Sequence, residues 1–245
     1  MFSRPFLTLL GLGLLGAIPV FLFPTNPQHA SSGIGTGLVL LITLAAAVAI
    51  GVALAERVGA VSLILRRVRN EPQTSEPQHW LRTIDLACIV GVCLIELSLL
   101  TWWLFPEAYG EIAKYADRLD PSRTFWSDSV LGLTFYAITC ELILRFGLVT
   151  LILWLGGSTA ESRGPASLTW AALLIPPLLM ALVSLILGSP VSWPILFYEG
   201  IGVAVSLFLG WLYVSKALEH AILASMVISA VYAGLALFLA IFSLS

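Results

Sequence analysis

The sequence predicts an all-α protein, a polytopic transmembrane helical bundle with about seven spans. Hydrophobic residues make up 59% of the 245 residues and charged residues only 11%, whereas a soluble domain carries about a quarter charged residues. Several apolar stretches also reach the roughly 20 residues that a helix needs to cross about 30 Å of hydrocarbon. Because these stretches are continuous and show no alternation of polar and apolar residues, a transmembrane β-barrel is disfavoured.

The apolar stretches place the spans along the chain, at about 5–24, 34–56, 83–105, 128–156, 168–188, 194–214 and 218–242. The second span is rich in glycine and alanine, which let helices approach closely in lipid. We expect its helix to continue towards Leu65. Pro176 and Pro177 in the fifth span predict a kink or a break, because proline lacks an amide donor and crowds the preceding turn.

The loops predict the domain organisation and the orientation. A polar segment at 70–82 separates an N-terminal transmembrane hairpin at 1–69 from a five-span core at 83–245. Arginine is concentrated between the second and third spans, and cytosolic loops carry an excess of lysine and arginine. We therefore expect a cytosolic N-terminus and a C-terminus outside. The first span ends without a small-residue cleavage site, so it is expected to remain as a helix.

Composition also limits the class of partner and the redox chemistry. The chain has no basic patch with interleaved aromatic residues, which argues against nucleic-acid binding. Its cysteines, Cys88, Cys93 and Cys140, have no C-x-x-C spacing and all fall in predicted spans. A free cysteine in such a place usually acts as a small hydrophobic residue, so a disulfide framework is not expected.

Glu141 and Arg145 are four residues apart in the middle of the fourth span. Positions i and i+4 share one face of a helix, so the carboxylate and the guanidinium can meet within the bilayer. A single charge there is costly, and an ionisable residue inside a span is a candidate for a functional site. The pair is therefore either a structural polar contact or part of a site for a substrate, a proton or an ion.

Two further carboxylates are expected near this pair. At about 1.5 Å per helical residue, Glu96, Glu141 and Glu199 lie roughly 20–22 Å from the cytosolic ends of their spans, and Arg145 lies about 16 Å from its end. We therefore predict a buried polar cluster of these four residues, in which Arg145 pairs with Glu141 or with Glu96. With one guanidinium against three carboxylates, a glutamate must be protonated or a cation must be present.

Two stretches carry a resemblance to a known family. Residues 140–147 read Cys-Glu-Leu-Ile-Leu-Arg-Phe-Gly, residues 210–213 read Gly-Trp-Leu-Tyr, and residues 221–224 read Ala-Ile-Leu-Ala. The first stretch resembles the Glu-Glu-x-x-x-Arg motif, followed by an aromatic residue and glycine, of the CPBP family. These are the CAAX-protease and bacteriocin-processing (Abi) intramembrane metallopeptidases. The other two are similar to that family's Gly-Trp-Leu-Tyr turn and the helix after it, so the resemblance covers about 128–242.

Four positions depart from the catalytic pattern that the resemblance implies. The first glutamate of the pair activates water in the family, but Cys140 stands there. The histidine of the Phe-x-x-x-His motif is replaced by Gly188. Ser225 and Ser229 occupy the two polar positions of the His-x-x-x-Asn/Asp motif. These four residues are therefore degenerate ligand positions.

The remaining donors do not suggest a metal site. Zinc prefers nitrogen, sulfur or carboxylate donors that converge on one point, whereas Cys140 and Glu141 are adjacent and point about 100° apart on a helix. His220 is five residues before Ser225, about 140° around the helix, and we expect it to be an interfacial histidine. We therefore predict no metal and no cofactor, with zinc implied only if the chain is an active peptidase.

Three functions stay open from these observations. The favoured one is a catalytically inactive CPBP-like protein that acts in the lipid bilayer as a scaffold or complex subunit with a membrane-protein partner. Glu141 and Arg145 are then vestigial motif positions that lock the fourth helix to its neighbours. The alternative is an active peptidase with an altered site, in which Glu141, Glu96 and Glu199 surround a metal. The third is a small-solute or proton carrier, although the chain has no evident internal repeat.

Overall fold

The computed structural model describes residues 3–22, 30–70, 78–106, 132–162, 164–186 and 193–243. Within these ranges the protein is helical and contains no strand. We number eight helices. They are α1 (Arg4–Leu22), α2 (Ala30–Leu54), α3 (Leu63–Val68), α4 (Gln78–Leu104), α5 (Gly132–Cys140, Leu142–Val149 and Thr150–Leu155), α6 (Ala166–Ile186), α7 (Trp193–Ser215) and α8 (Leu218–Ser243).

The all-α class is confirmed in the described residues, and four helices are long and apolar enough to cross a membrane. These stretches are Gly37–Leu54, Trp80–Thr101, Leu133–Leu155 and Ala166–Val183. Shorter apolar helices cover Arg4–Val20, Glu199–Ser215 and Leu218–Gly234. The seven long helices described here therefore fall at the positions of the seven predicted spans, and four of them have the length and composition of a complete crossing.

One expectation about the helices is wrong, and of the kink or break expected in the fifth span, the break is wrong. The helix of the second span does not continue to Leu65 but ends at Leu54. Gly59 follows in a turn with φ of +73°, a backbone conformation that suits glycine because it has no side chain. In the fifth span, α6 is not broken at its two prolines, since the helix runs through both of them to Ile186.

Most of α5 is a π-helix, which the sequence did not predict. The π-helical segments are Gly132–Cys140 and Leu142–Val149, and the chain returns to α-helix at Thr150. The Thr150 amide donates to the carbonyl of Arg145, the i to i+5 spacing of a π-turn. Such helices are rare in proteins and are frequent at functional sites. Here the π-helical region carries the Glu141–Arg145 pair.

The N-terminal hairpin and the remaining helices share one hydrophobic core. Leu9 of α1 and Val48 of α2 are fully buried in the same cluster as Phe146 of α5 and Leu212 of α7. A buried hydrogen bond also joins α5 to α1, because the Thr139 hydroxyl donates to the Gly13 carbonyl at 2.8 Å. The predicted linker at 70–82 falls largely outside the described residues, at 71–77.

One end of the bundle is held together by polar contacts around Glu219. The Ser62 hydroxyl and the Ile64 amide both donate to Glu219 Oε1, at 2.6 and 2.9 Å. Ser62 in turn accepts from the Leu65 amide at the start of α3. The Leu218 amide donates to the Val61 carbonyl at 3.0 Å. These bonds attach the segment after α2 to the first turn of α8.

Replacing Glu219 by alanine is expected to lower the free energy of unfolding by about 1–2 kcal/mol, because two donors lose their acceptor in a partly buried place. Thermal unfolding in detergent measures the effect. Glu219→Gln keeps an acceptor oxygen and should recover most of the loss. Glu161→Ala, at an exposed loop position, is the matched control. Equal stability of the Glu219→Ala and Glu161→Ala variants would contradict the prediction.

Candidate functional site

A cavity of about 750 Å³ lies among five helices and contains most of the predicted site residues. Residues of α4, α5, α6, α7 and α8 line it, and most of its wall is apolar. Ligand-binding cavities in proteins have similar volumes and the same combination of an apolar wall with a few polar groups. The volume therefore suits a molecule of many atoms better than a bare ion.

The predicted pair of Glu141 and Arg145 is formed on the wall of this cavity. Arg145 Nη1 lies 3.2 Å from Glu141 Oε1, and both side chains are almost completely buried. Arg145 Nη2 donates to the Ser206 carbonyl at 2.9 Å and to the Ser206 hydroxyl at 2.6 Å. The guanidinium therefore joins α5 to α7. Its alternative pairing with Glu96 is wrong.

The second oxygen of the Glu141 carboxylate has a different environment from the first. Glu141 Oε2 is buried and has no hydrogen-bond partner in the described part of the chain. An unpaired polar atom in such a place is costly, because it has lost water and gained no donor. A proton, or a donor supplied by another molecule, would satisfy this atom.

Glu199 and three of the four degenerate motif positions line the same cavity. They are Cys140 on α5 and Ser225 and Ser229 on α8. Residues that are up to 89 positions apart in the sequence, from Cys140 to Ser229, are thus brought together by folding. The fourth motif position, Gly188, lies outside the described residues.

The predicted burial of Glu96 is wrong. Glu96 is exposed on α4 and is not among the residues that line the cavity, to which α4 contributes Leu94 and Ser98. The depth of Glu96 along its helix could not distinguish an exposed side chain from a buried one, because depth says nothing about the direction in which a side chain points. On α4, the face with Leu94 and Ser98 turns inward and Glu96 lies between them in sequence, on another face.

The residues of this cavity do not fit the metal that the family resemblance implies. In the described ranges, no three side chains among histidine, cysteine, aspartate and glutamate lie close enough together to hold a metal ion. Cys140 and Glu141 both line the cavity, but Glu141 Oε1 is paired with Arg145. Ser225 and Ser229 offer neutral hydroxyl oxygens, which are poor ligands for zinc.

Several polar residues of the site were not predicted from the sequence. Ser206 is the partner of Arg145, and Tyr136 and Tyr232 stand on the cavity wall. Ser206 follows Glu199 by seven residues, so it lies on the same face of α7, two turns away. That spacing could have identified Ser206, whereas neither tyrosine has a comparable signal in the sequence.

His220 lies in a polar contact away from the cavity. It is buried, its ring stacks on Trp80 with 4.1 Å between centroids, and its Nδ1 is 2.7 Å from the Thr83 hydroxyl. These contacts connect α8 to the first two turns of α4. The sequence predicted an interfacial position for His220 but did not predict that its side chain would be buried.

Comparison of the chain with protein-family models, with curated proteins and with solved structures finds no match.

Proposed function

We propose that this chain is a multi-pass membrane protein of CPBP-like architecture that lacks peptidase activity and serves as a scaffold or subunit of a membrane complex. In this proposal all seven long helices cross the bilayer, with the N-terminus in the cytosol and the C-terminus outside. The observation that supports it best is the gathering of Cys140, Glu141, Ser225 and Ser229 around one cavity. These are the positions at which the family resemblance requires ligands and a base.

The chemistry of these side chains argues against hydrolysis. A general base must reach the proton that it removes, but Glu141 is engaged with Arg145 through Oε1 and both of its oxygens are buried. Cysteine in place of the first glutamate cannot accept a proton in the same way unless it is a thiolate. The contact of Arg145 with Ser206 instead gives the pair a structural use, because it fastens α5 to α7.

A partner in the membrane is supported by Glu96. Its side chain is exposed within an apolar stretch, Trp80–Thr101, that is long enough to cross the bilayer. A carboxylate that faces lipid is costly, and ionisable residues in spans usually pair or face a protein interior. A helix of another protein packed on this face of α4 would remove Glu96 from lipid.

Purified protein is expected to contain far less than one zinc ion per chain and to leave membrane-peptide substrates uncleaved. Metal analysis of protein purified without chelators measures the first, and mass spectrometry of incubated peptides measures the second. The same preparation in mild detergent is expected to retain a companion membrane protein, and this association should weaken in Glu96→Leu. Stoichiometric zinc that is lost on Glu141→Gln, together with peptide cleavage, would instead establish the peptidase alternative.

A carrier of protons or small solutes is the second candidate, and the two carboxylates on the wall of one cavity favour it. In liposomes, such a carrier would produce a flux that depends on pH and that Glu199→Gln abolishes. Glu96→Gln, outside the cavity, is the control. A flux that both variants reduce equally, or no flux above protein-free liposomes, would exclude the carrier.

A further inference from the structure

Glu96 points away from the bundle on helix α4. The packed side of α4 carries Ala87, which is fully buried, and Gly91, where an added Cβ would lie 3.1 Å from Val231 of α8. Glu96 follows Ala87 by nine residues, a rotation of about 180° around the helix. Its side chain is exposed, and it forms no hydrogen bond or ion pair within the described ranges. The described part of the chain therefore supplies no partner for this carboxylate.

The neighbours of Glu96 on α4 cannot offset its charge. The residues one turn away on either side are all exposed and uncharged. They are Val92, Cys93, Leu99 and Leu100. Glu96 is five residues before Thr101, where the apolar stretch ends, so it lies about 7–8 Å inside that end. A carboxylate at this depth is costly without a partner. The exposed face of α4 is thus an apolar surface around an acidic group.

A second copy of this chain does not offer a matching group. Among the described apolar helices, Arg4 and Arg82 stand in the first turn of their apolar stretches. Arg145 lies deeper, but it is buried against Glu141. Two copies that met through the exposed face of α4 would bring two Glu96 side chains together, and like charges repel. The occupant of this face is therefore a different protein.

We propose that the exposed face of α4 binds a transmembrane helix of another protein, which carries a lysine or an arginine at the depth of Glu96. This inference rests on the proposed function, because it names the chemistry of the membrane partner. The basic side chain offsets the carboxylate in surroundings of low polarity, where a charge interaction is strong. Ile89 and Trp103, seven residues before and after Glu96, are 59% and 77% exposed. They lie on the same face and pack along the partner helix.

Model transmembrane peptides test this inference. Each is a membrane-spanning helix of leucine and alanine, and the peptides differ only in having lysine, leucine or glutamate at the depth of Glu96. Binding to the full chain in vesicles of uncharged lipid is followed by energy transfer between a fluorophore on the peptide and one on the C-terminus of the protein. We expect the lysine peptide to bind at least about fivefold more tightly than the leucine peptide. The glutamate peptide should bind no more tightly than the leucine peptide.

Exchange of charge connects this binding to Glu96. Glu96→Leu should lose the preference for the lysine peptide. Glu96→Lys should reverse it, so that the glutamate peptide binds at least about fivefold more tightly than the lysine peptide. A variant that had merely misfolded would not acquire the opposite preference.

Asp85→Leu is the matched control. It removes another exposed carboxylate from α4, one that has Arg82 about one turn before it. The affinity for the lysine peptide should therefore stay unchanged within about twofold.

The inference is overturned if the lysine and leucine peptides bind equally well or not at all, or if Asp85→Leu loses as much affinity as Glu96→Leu. Energy transfer between two labelled copies of the protein, removed by Glu96→Leu, would identify a second copy as the occupant and would also overturn it. These results are independent of zinc content, peptide cleavage and retention of a companion protein. A retained companion without any preference for the lysine peptide would remove this inference and leave the proposed function standing.

Discussion

Replacing Arg145 by leucine is expected to lower the free energy of unfolding by about 3–5 kcal/mol, the range for breaking one partner out of a buried ion pair. The substitution leaves the Glu141 carboxyl group without its counter-charge in a place where its side chain is almost fully buried. It also removes the donor that joins α5 to Ser206 of α7. Equilibrium unfolding in mixed detergent micelles, followed by circular dichroism, measures the change.

The double variant Glu141→Gln, Arg145→Leu separates the cost of an unpaired charge from the value of the pair. Removing both charges from a buried pair is often nearly neutral, so the double variant should recover most of the lost stability. Glu96→Gln, with an exposed side chain on α4, should unfold like the parent protein. If Arg145→Leu were as stable as the parent, the pair would have no structural role.

The positions of the helices were predictable from the sequence because hydrocarbon imposes a simple rule on composition and length. Each of the seven apolar runs overlaps one of the long helices, for example α4 at Gln78–Leu104 against the predicted 83–105. The same rule cannot resolve local backbone geometry. The π-helical segments of α5 pack against α1, α2 and α8, and the composition of an apolar run does not record such contacts.

The candidate site was predictable only in part, for a related reason. The Glu141–Arg145 contact is local, and its spacing of four residues identifies it. Glu96 and Glu199 have similar predicted depths, yet Glu199 lines the cavity and Glu96 does not. The difference arises from the rotation of each helix about its axis, which packing determines. The residues of α4 are apolar on every face of the helix, so no periodic pattern in the sequence indicated which face turns inward.

A close contact between α2 and α5 is formed where a glycine meets an alanine. Gly147 of α5 lies against Ala47 of α2, so that a Cβ added at Gly147 would be 2.5 Å from Ala47 Cβ and 2.8 Å from its Cα. Atoms that close must move apart, and here the obstacle includes backbone. Gly51, one turn further along α2, is packed against the ring of Phe146. Small residues thus set the distance between α2 and α5.

Gly147→Ala is therefore expected to lower the free energy of unfolding by about 2–3 kcal/mol, in the upper part of the range for overpacking. The added methyl group can be accommodated only if α2 and α5 separate, and separation would also lengthen contacts around the adjacent Phe146. Unfolding in mixed micelles measures the loss. A pair of spin labels, one attached to each helix through an introduced cysteine, would report the increase in the distance between α2 and α5.

Gly200→Ala is the matched control, because nothing lies within 4 Å of its added Cβ. Alanine favours a helix by up to about 1 kcal/mol over glycine, so this variant should be as stable as the parent or slightly more stable. The two substitutions add the same methyl group to a helix and differ only in what that group meets. A loss of stability in both variants would mean that glycine flexibility, not the approach of α2 and α5, is what the bundle requires. A loss in Gly147→Ala alone would show that the tight contact with Ala47 holds the hairpin against the helix that carries Glu141 and Arg145.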